Sequence, residues 1–180
     1  ALMTDTNGNN TFWNANNEAF SVIIACRKTS HVGGGWGDTL FAQGINNGPT
    51  GTWCMGIYGD HSWGGQYGES LGQNGNSGLS GSLPYKGIFC VRQASNGTGN
   101  SYFWQSGTSS WSTRGTSTAW PSGLPSGGYD CLNFFNVESP SHNQHRFVGT
   151  IAEIAYYKGT SIDNTERDAC KNYMVDKFGI

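Results

Sequence analysis

The chain has 180 residues, a formal charge of −2 and only 12% charged side chains, against 28 glycines and 13% aromatic residues. That length suits one domain, residues 1–180, with enough chain for a two-layer core. The near-neutral charge leaves no basic footprint for nucleic acid, and no apolar run reaches the length of a membrane-spanning helix, so neither partner is expected.

The N-terminus, Ala1-Leu2-Met3-Thr4-Asp5, has no basic and apolar signal pattern. Its missing initiator Met points to processing or to a longer parent chain. Short apolar runs between Gly, Asn and Ser clusters then predict strands almost throughout. Residues 11–13 read as a short strand. Residues 20–27 (FSVIIACR) read as the strongest early strand, central in its sheet. Residues 39–43 and 52–58 follow, joined by the turn Asn46-Asn47-Gly48-Pro49. Residues 59–82 read as one long polar loop. Residues 87–93 and 101–105 pair across a turn at 95–100, and Ser106-Gly107 ends that hairpin. Residues 111–120 are Ser/Thr-rich and read as a candidate strand, 121–128 as a loop, 129–137 as a strand and 138–144 as a loop.

The last segment is the most informative. Residues 148–157 are apolar and β-branched, with Gly149 near the start. Like 20–27, they are too apolar for an exposed edge and are expected in the core. Gly159, Thr160 and Ser161 break the strand. Asp163 stands three residues before Glu166, the form of a capping box opening a helix over 164–177. Ala169, Cys170, Tyr173, Met174 and Phe178 recur at helical spacing, with Arg167, Asp168, Lys171, Asn172 and Asp176 on the other face. Tyr173, Met174 and Phe178 are expected to be buried. Lys171 and Lys177 suit the C-terminal end of the helix dipole, and Gly179 supplies the stop.

This ending resembles the close of the concanavalin A-like lectin/glucanase superfamily, in its laminin-G-like bacterial and phage branch. Such domains end with G-x-I-A-E-I-x-x-Y, a turn, a helix opening L-S-x-x-E-R, and Y-L-x-x-K-Y-G. Here stand Gly149, Ile151, Ala152, Glu153, Ile154 and Tyr157, then Ile162, Glu166, Arg167, Tyr173, Met174, Lys177, Phe178 and Gly179. The match is dense over about a fifth of the chain and thins upstream, where the hairpin Asn of the family is replaced in Tyr102 to Gly107. The resemblance implies an all-β fold, a two-sheet antiparallel β-sandwich of jelly-roll type with one C-terminal α-helix. It says little about function, because the matched residues look structural.

Glycoside hydrolysis needs two carboxyl groups held across one bond. The family's glucanases carry them together on one strand, whereas Glu153 stands alone among apolar residues. Its structural reading is a residue bonded to backbone or paired with a helix cation, so no enzyme activity is expected. Ser, His and Asp occur without a G-x-S-x-G elbow. His142 and His145 read as solvated loop residues. Calcium is open: lectin-like sandwiches often hold Ca²⁺ at the sheet rim, and Asp38, Asp60 and Asp130 are candidate ligands. Each also reads as a turn former beside glycine. Cys26, Cys54, Cys90, Cys131 and Cys170 show neither paired spacing nor a CxxC, and read as five free buried thiols. Free thiols point to folding in a reducing cytoplasm, and Asn9 and Asn96 then read as polar turns rather than glycosylation sites.

Sugars are recognised by aromatic faces against C–H surfaces and by amides and carboxylates on hydroxyls. Within the 59–82 segment, Trp63 and Tyr67 stand among His61, Gln66, Glu69, Gln73 and Asn74. Trp36, set among glycines, is a second candidate, and Trp111, Arg114 and Trp120 form a third aromatic–polar group. The competing reading is that such rings fill gaps under loops. The expectation is a non-catalytic carbohydrate- or receptor-binding domain of a phage, virion or cell-surface fibre, folded in a bacterial cytoplasm. Its ligand is a glycan or host-surface receptor, with neighbouring virion or fibre subunits as further partners. The alternative is a structural decoration or assembly domain with protein contacts.

Overall fold

The computed structural model describes residues 2–3, 19–30, 38–43, 53–58, 62–67, 84–94, 99–114, 132–134 and 147–180. In chain order the strands are β1 (Leu2–Met3), β2 (Phe20–Ser30), β3 (Asp38–Gln43), β4 (Trp53–Tyr58) and β5 (Ser62–Tyr67). They continue as β6 (Tyr85–Gln93), β7 (Gly99–Gln105), β8 (Ser112–Arg114), β9 (Leu132–Phe134) and β10 (Val148–Lys158), before helix α1 (Asn164–Phe178). All pair antiparallel, in the orders β10–β2–β6–β7–β8 and β1–β9–β3–β4–β5.

β2 is the spine of the first set. Val22, Ile23, Ile24 and Ala25 have no accessible surface. Successive strand residues face opposite sides, so an uninterrupted apolar run must be covered on both. On one side Ile23, Ala25, Ile88, Cys90, Tyr102 and Trp104 cluster with Ile162 and Met174, which come from the helix and its lead-in. On the other, Val22, Ile24, Phe89 and Phe103 are equally buried, with the two phenyl rings 4.3 Å apart between centroids. Each such side chain contributes about 1.5–3 kcal/mol relative to exposure. Gly87 makes that ring pair possible. A Cβ there would lie 2.5 Å from both the Phe103 ring and the Trp104 carbonyl oxygen.

Asp163 caps α1 as its spacing predicts. Its Oδ1 accepts from Glu166 N at 2.8 Å, while Glu166 Oε2 accepts from Asp163 N at 2.8 Å. Gly179 closes the helix in the left-handed region at φ 62°, its N–H bonded to the Val175 carbonyl. The buried stripe differs from the predicted one. Met174 is buried and Phe178 packs on the cluster, but Arg167 is buried, Ala169 is exposed and Tyr173 is 49% exposed. Apolarity alone misassigns all three, Tyr173 and Arg167 for a visible reason. Tyr173 keeps its phenol at the surface with Lys177 and Glu153, and Arg167 lies across aromatic rings.

Two further expectations are corrected. β10 is the edge of its sheet, with mostly half-buried residues, rather than a core strand. The helix covers one side of it, through Ala155 and Tyr157, so an apolar run survives without a second neighbour strand. Register shifts at 148/149 and 151/153 interrupt the ladder, a common way to blunt an edge. At the first shift the chains approach so closely that a Cβ on Gly149 would meet the Arg27 carbonyl oxygen. Second, residues 62–67 are not loop: β5 pairs with β4 along its length, from Trp53–Tyr67 to Tyr58–Ser62. Its two central glycines hide the strand pattern locally, and only a partner strand restores it. The expectations for 11–13, 46–49, 68–82, 121–128 and 138–144 lie outside the described residues.

Cys26 and Cys90 are buried, Cys170 is half-buried, and all three are free. Burial pushes the Cys26 thiol far up and Cys90 up to about 12, so neither is a thiolate at neutral pH. The Cys54 side chain and Cys131 lie outside the described residues.

Gly87→Ala is expected to lower stability by about 1–3 kcal/mol, the range for overpacking a tight core. Urea unfolding checks it, with Gly107→Ala as the control, where an added Cβ meets nothing within 4 Å and only the φ of 87° opposes it. Alkylation of the native protein should leave Cys26 and Cys90 unlabelled until denaturant is added, as read by mass spectrometry.

Candidate functional site: an arginine–aromatic cavity at the helix start

The site is assembled where the chain leaves β10 and enters α1. Gly159 turns the backbone at φ 76°. Ser21, itself fully buried, then holds the lead-in from both sides: its Oγ donates to the Thr160 carbonyl at 3.2 Å and accepts from Ile162 N at 3.0 Å. This seats Asn164 and Arg167 over the ends of β6 and β7.

Arg92, near the end of β6, reaches across. Its Nη1 donates to the Ile162 carbonyl at 2.9 Å, its Nη2 to Asn164 Oδ1 at 2.7 Å, and its Nε to the Tyr102 hydroxyl at 3.1 Å. Arg167, on the first turn of α1, donates from Nε and Nη2 to Asp168 Oδ1 at 3.1 and 2.9 Å, and from Nη1 to Asn164 Oδ1 at 3.3 Å. Both guanidiniums lie 4.7 Å from the Tyr102 ring centroid, and Arg167 also lies 4.8 Å from that of Trp111. Planar, weakly hydrated guanidinium suits such stacking, and three of the five Arg167 donors are paired.

The hairpin exit supplies the remaining wall. After β7, Gly107 takes a φ of 87°, and Thr108 bonds back to the Gln105 carbonyl through its N and Oγ1. The Trp104 indole donates to the Thr108 carbonyl at 2.9 Å, fixing the return. Trp111 follows, edge-on to Tyr102, and donates its indole N–H to Asp168 Oδ1 at 2.6 Å. β8 then places Thr113 opposite Tyr102. The result is an open cavity of about 540 Å³, lined by Arg92, Tyr102, Ser109, Ser110, Trp111, Thr113, Asn164, Arg167 and Asp168. Partial burial pushes the Asp168 carboxyl up, but the hydrogen bonds from Arg167 and Trp111 and the charges of Arg167 and Lys171 outweigh it, holding the group below its ordinary range.

Glu153 lies apart from this cavity and is paired with a helix cation, in line with its structural reading. Lys177 Nζ sits 2.9 Å from its Oε2, and the Tyr173 hydroxyl touches both Lys177 and the carboxylate. The trio ties edge strand β10 to α1.

The expected site residues are divided. Trp63, Gln66 and Tyr67 lie on β5, opposite Ile57, Cys54 and Trp53. Strand alternation puts positions 63 and 67 on one face with 53 and 57, and position 66 on the other. Asp38 opens β3 opposite Ile57. Trp36, Asp60, His61 and Asp130 lie outside the described residues. Among the described residues no group of three or more His, Cys, Asp or Glu is placed to hold an ion. Sequence reasoning singled out Trp111 but passed over Arg92, Tyr102, Asn164, Arg167 and Asp168. The available signal was Arg167, a cation one turn into the helix. No protein-family model matches the chain, and no curated protein matches it.

Trp111→Phe removes a hydrogen bond to a charged acceptor and is expected to lower stability by about 1.5–3 kcal/mol in urea titrations. The Asp168 carboxyl, with its folded value depressed, stabilises the fold above the ordinary carboxylate range. That contribution is lost as pH falls below about 4 through the depressed value. Asp168→Asn should therefore flatten the fall in melting temperature between pH 5 and about pH 3.

Proposed function

We propose that this chain is a non-catalytic binding domain of a phage, virion or cell-surface fibre, taking a saccharide in the cavity between β8 and the start of α1. The observation that carries the reading is that cavity: two aromatic rings, two guanidiniums, one carboxylate and a rim of three hydroxyl side chains converge on one open space. Rings meet sugar C–H faces, and the polar groups meet hydroxyls. The non-catalytic part rests on Glu153, whose carboxylate is engaged by Lys177 and Tyr173.

The same reading takes the fold to be a concanavalin A-like sandwich. Two facts support it. On the side of β2, β6 and β7 opposite the helix, Val22, Ile24, Phe89, Val91 and Phe103 are buried, and β5 of the second strand set runs close to β7. Recognition in this reading belongs to the cavity.

A glycan array on the isolated domain tests the function. Binding to a defined subset of saccharides is expected, and it should be lost in Ser110→Trp, which fills the cavity from an exposed position. A blank array for a domain that still assembles onto its particle would favour the decoration reading. Replacing Trp63 and Tyr67 together by Ala should leave that binding intact. Unchanged stability with lost binding would instead move the site to β5.

A further inference from the structure

We infer that the cavity selects a saccharide bearing an oxyanion, a hexuronate carboxylate or a sugar phosphate, through Arg92 and Arg167. This rests on the binding reading above and deepens it.

The first ground is charge. Two guanidiniums line the cavity against one carboxylate, Asp168, which its neighbours hold ionised. One positive charge is left over, and Lys171 adds to it from close by, since its charge acts on the same carboxylate. A neutral ligand would leave that excess unanswered in a partly desolvated space.

Donor accounting is the second ground. A guanidinium carries five N–H groups. Arg167 directs one each from Nε, Nη1 and Nη2 to Asp168 and Asn164, so one N–H on each terminal nitrogen has no partner among the described residues. Arg167 is only 8% exposed and lines the cavity. Arg92 engages its Nε and both Nη2 hydrogens, and one Nη1 hydrogen, leaving one more. Asn164 Oδ1 accepts from both arginines and so holds the two forks beside each other. Unmatched N–H groups on adjacent guanidiniums suit the oxygens of a carboxylate or phosphate.

The rim decides for a saccharide as the carrier. Ser109, Ser110 and Thr113 are exposed hydroxyl residues at the mouth, and Asp168 Oδ2 has no partner among the described residues. These groups match the hydroxyls that surround an acidic substituent on a sugar ring.

The test measures binding of three immobilised polymers to the whole domain: polygalacturonate, the same polymer with its carboxyls reduced to alcohols, and a sugar-phosphate polymer. At least one anionic polymer should bind tenfold or more tighter than the reduced one, and added salt should weaken it. Thr113→Glu should weaken that binding about fivefold and Thr113→Lys should strengthen it, with melting temperatures unchanged. Equal binding of the reduced polymer would overturn the oxyanion inference and leave the binding reading standing. Anionic binding that neither Thr113 variant moves would place the anion elsewhere and overturn it too. No binding of any polymer, with a blank glycan array, would remove both.

Discussion

Val22, Ile23, Ile24 and Ala25 follow one another in β2, and none has accessible surface. A strand with apolar residues at both parities cannot end as one layer, because each of its faces must be taken from water. Most of the remaining architecture answers that demand. β6 flanks β2 with Ile88, Phe89, Cys90 and Val91, which are apolar at both parities in the same way. The helix exists as a cover for one side. Its own sequence carries few buried residues, Arg167 and Met174, and its placement comes from caps and tertiary ties rather than from a broad apolar stripe.

Covering a sheet with one short helix leaves a problem at the helix start, where unpaired N–H groups and a chain crossing meet the sheet end. The capping box satisfies the backbone there. Ser21 satisfies the crossing from within the sheet. Arg92 and Arg167 fill the remaining wedge with polar and aromatic contacts instead of an aliphatic plug. Such a wedge is wide and charged, and it ends as a cavity rather than a seam. The binding reading thus grows from the way the helix is joined to the sheet.

The far end of the helix is joined differently. Glu153, Tyr173 and Lys177 form a surface trio with exposed members, worth little in isolation but well placed to fix the edge strand. One end of the helix is held by buried guanidinium, the other by an exposed ion pair. Changes in salt or pH therefore act unequally along it, and the exposed end is screened far more than the buried one.

Local chemistry alone determined a good part of this protein. The strands at 20–27, 39–43, 52–58, 87–93 and 101–105, the capped helix and its glycine stop were all legible, because propensity, turn residues and capping act over a few neighbours. Position in a sheet was not. β10 is as apolar as a central strand, yet lies at an edge, since a helix can cover a strand as well as another strand can. β5 was hidden because its glycines weaken the pattern until β4 supplies partners. The cavity was the least legible feature. Its residues come from β6, β7, the 109–113 segment and α1, and Arg167 reads as a cation on the polar helix face until the rings of Tyr102 and Trp111, distant in sequence, are brought beneath it. Periodicity states which face of an element is apolar, but a charged residue is buried only where the fold brings enough partners for its donors. That is a property of tertiary contacts, which no local window contains.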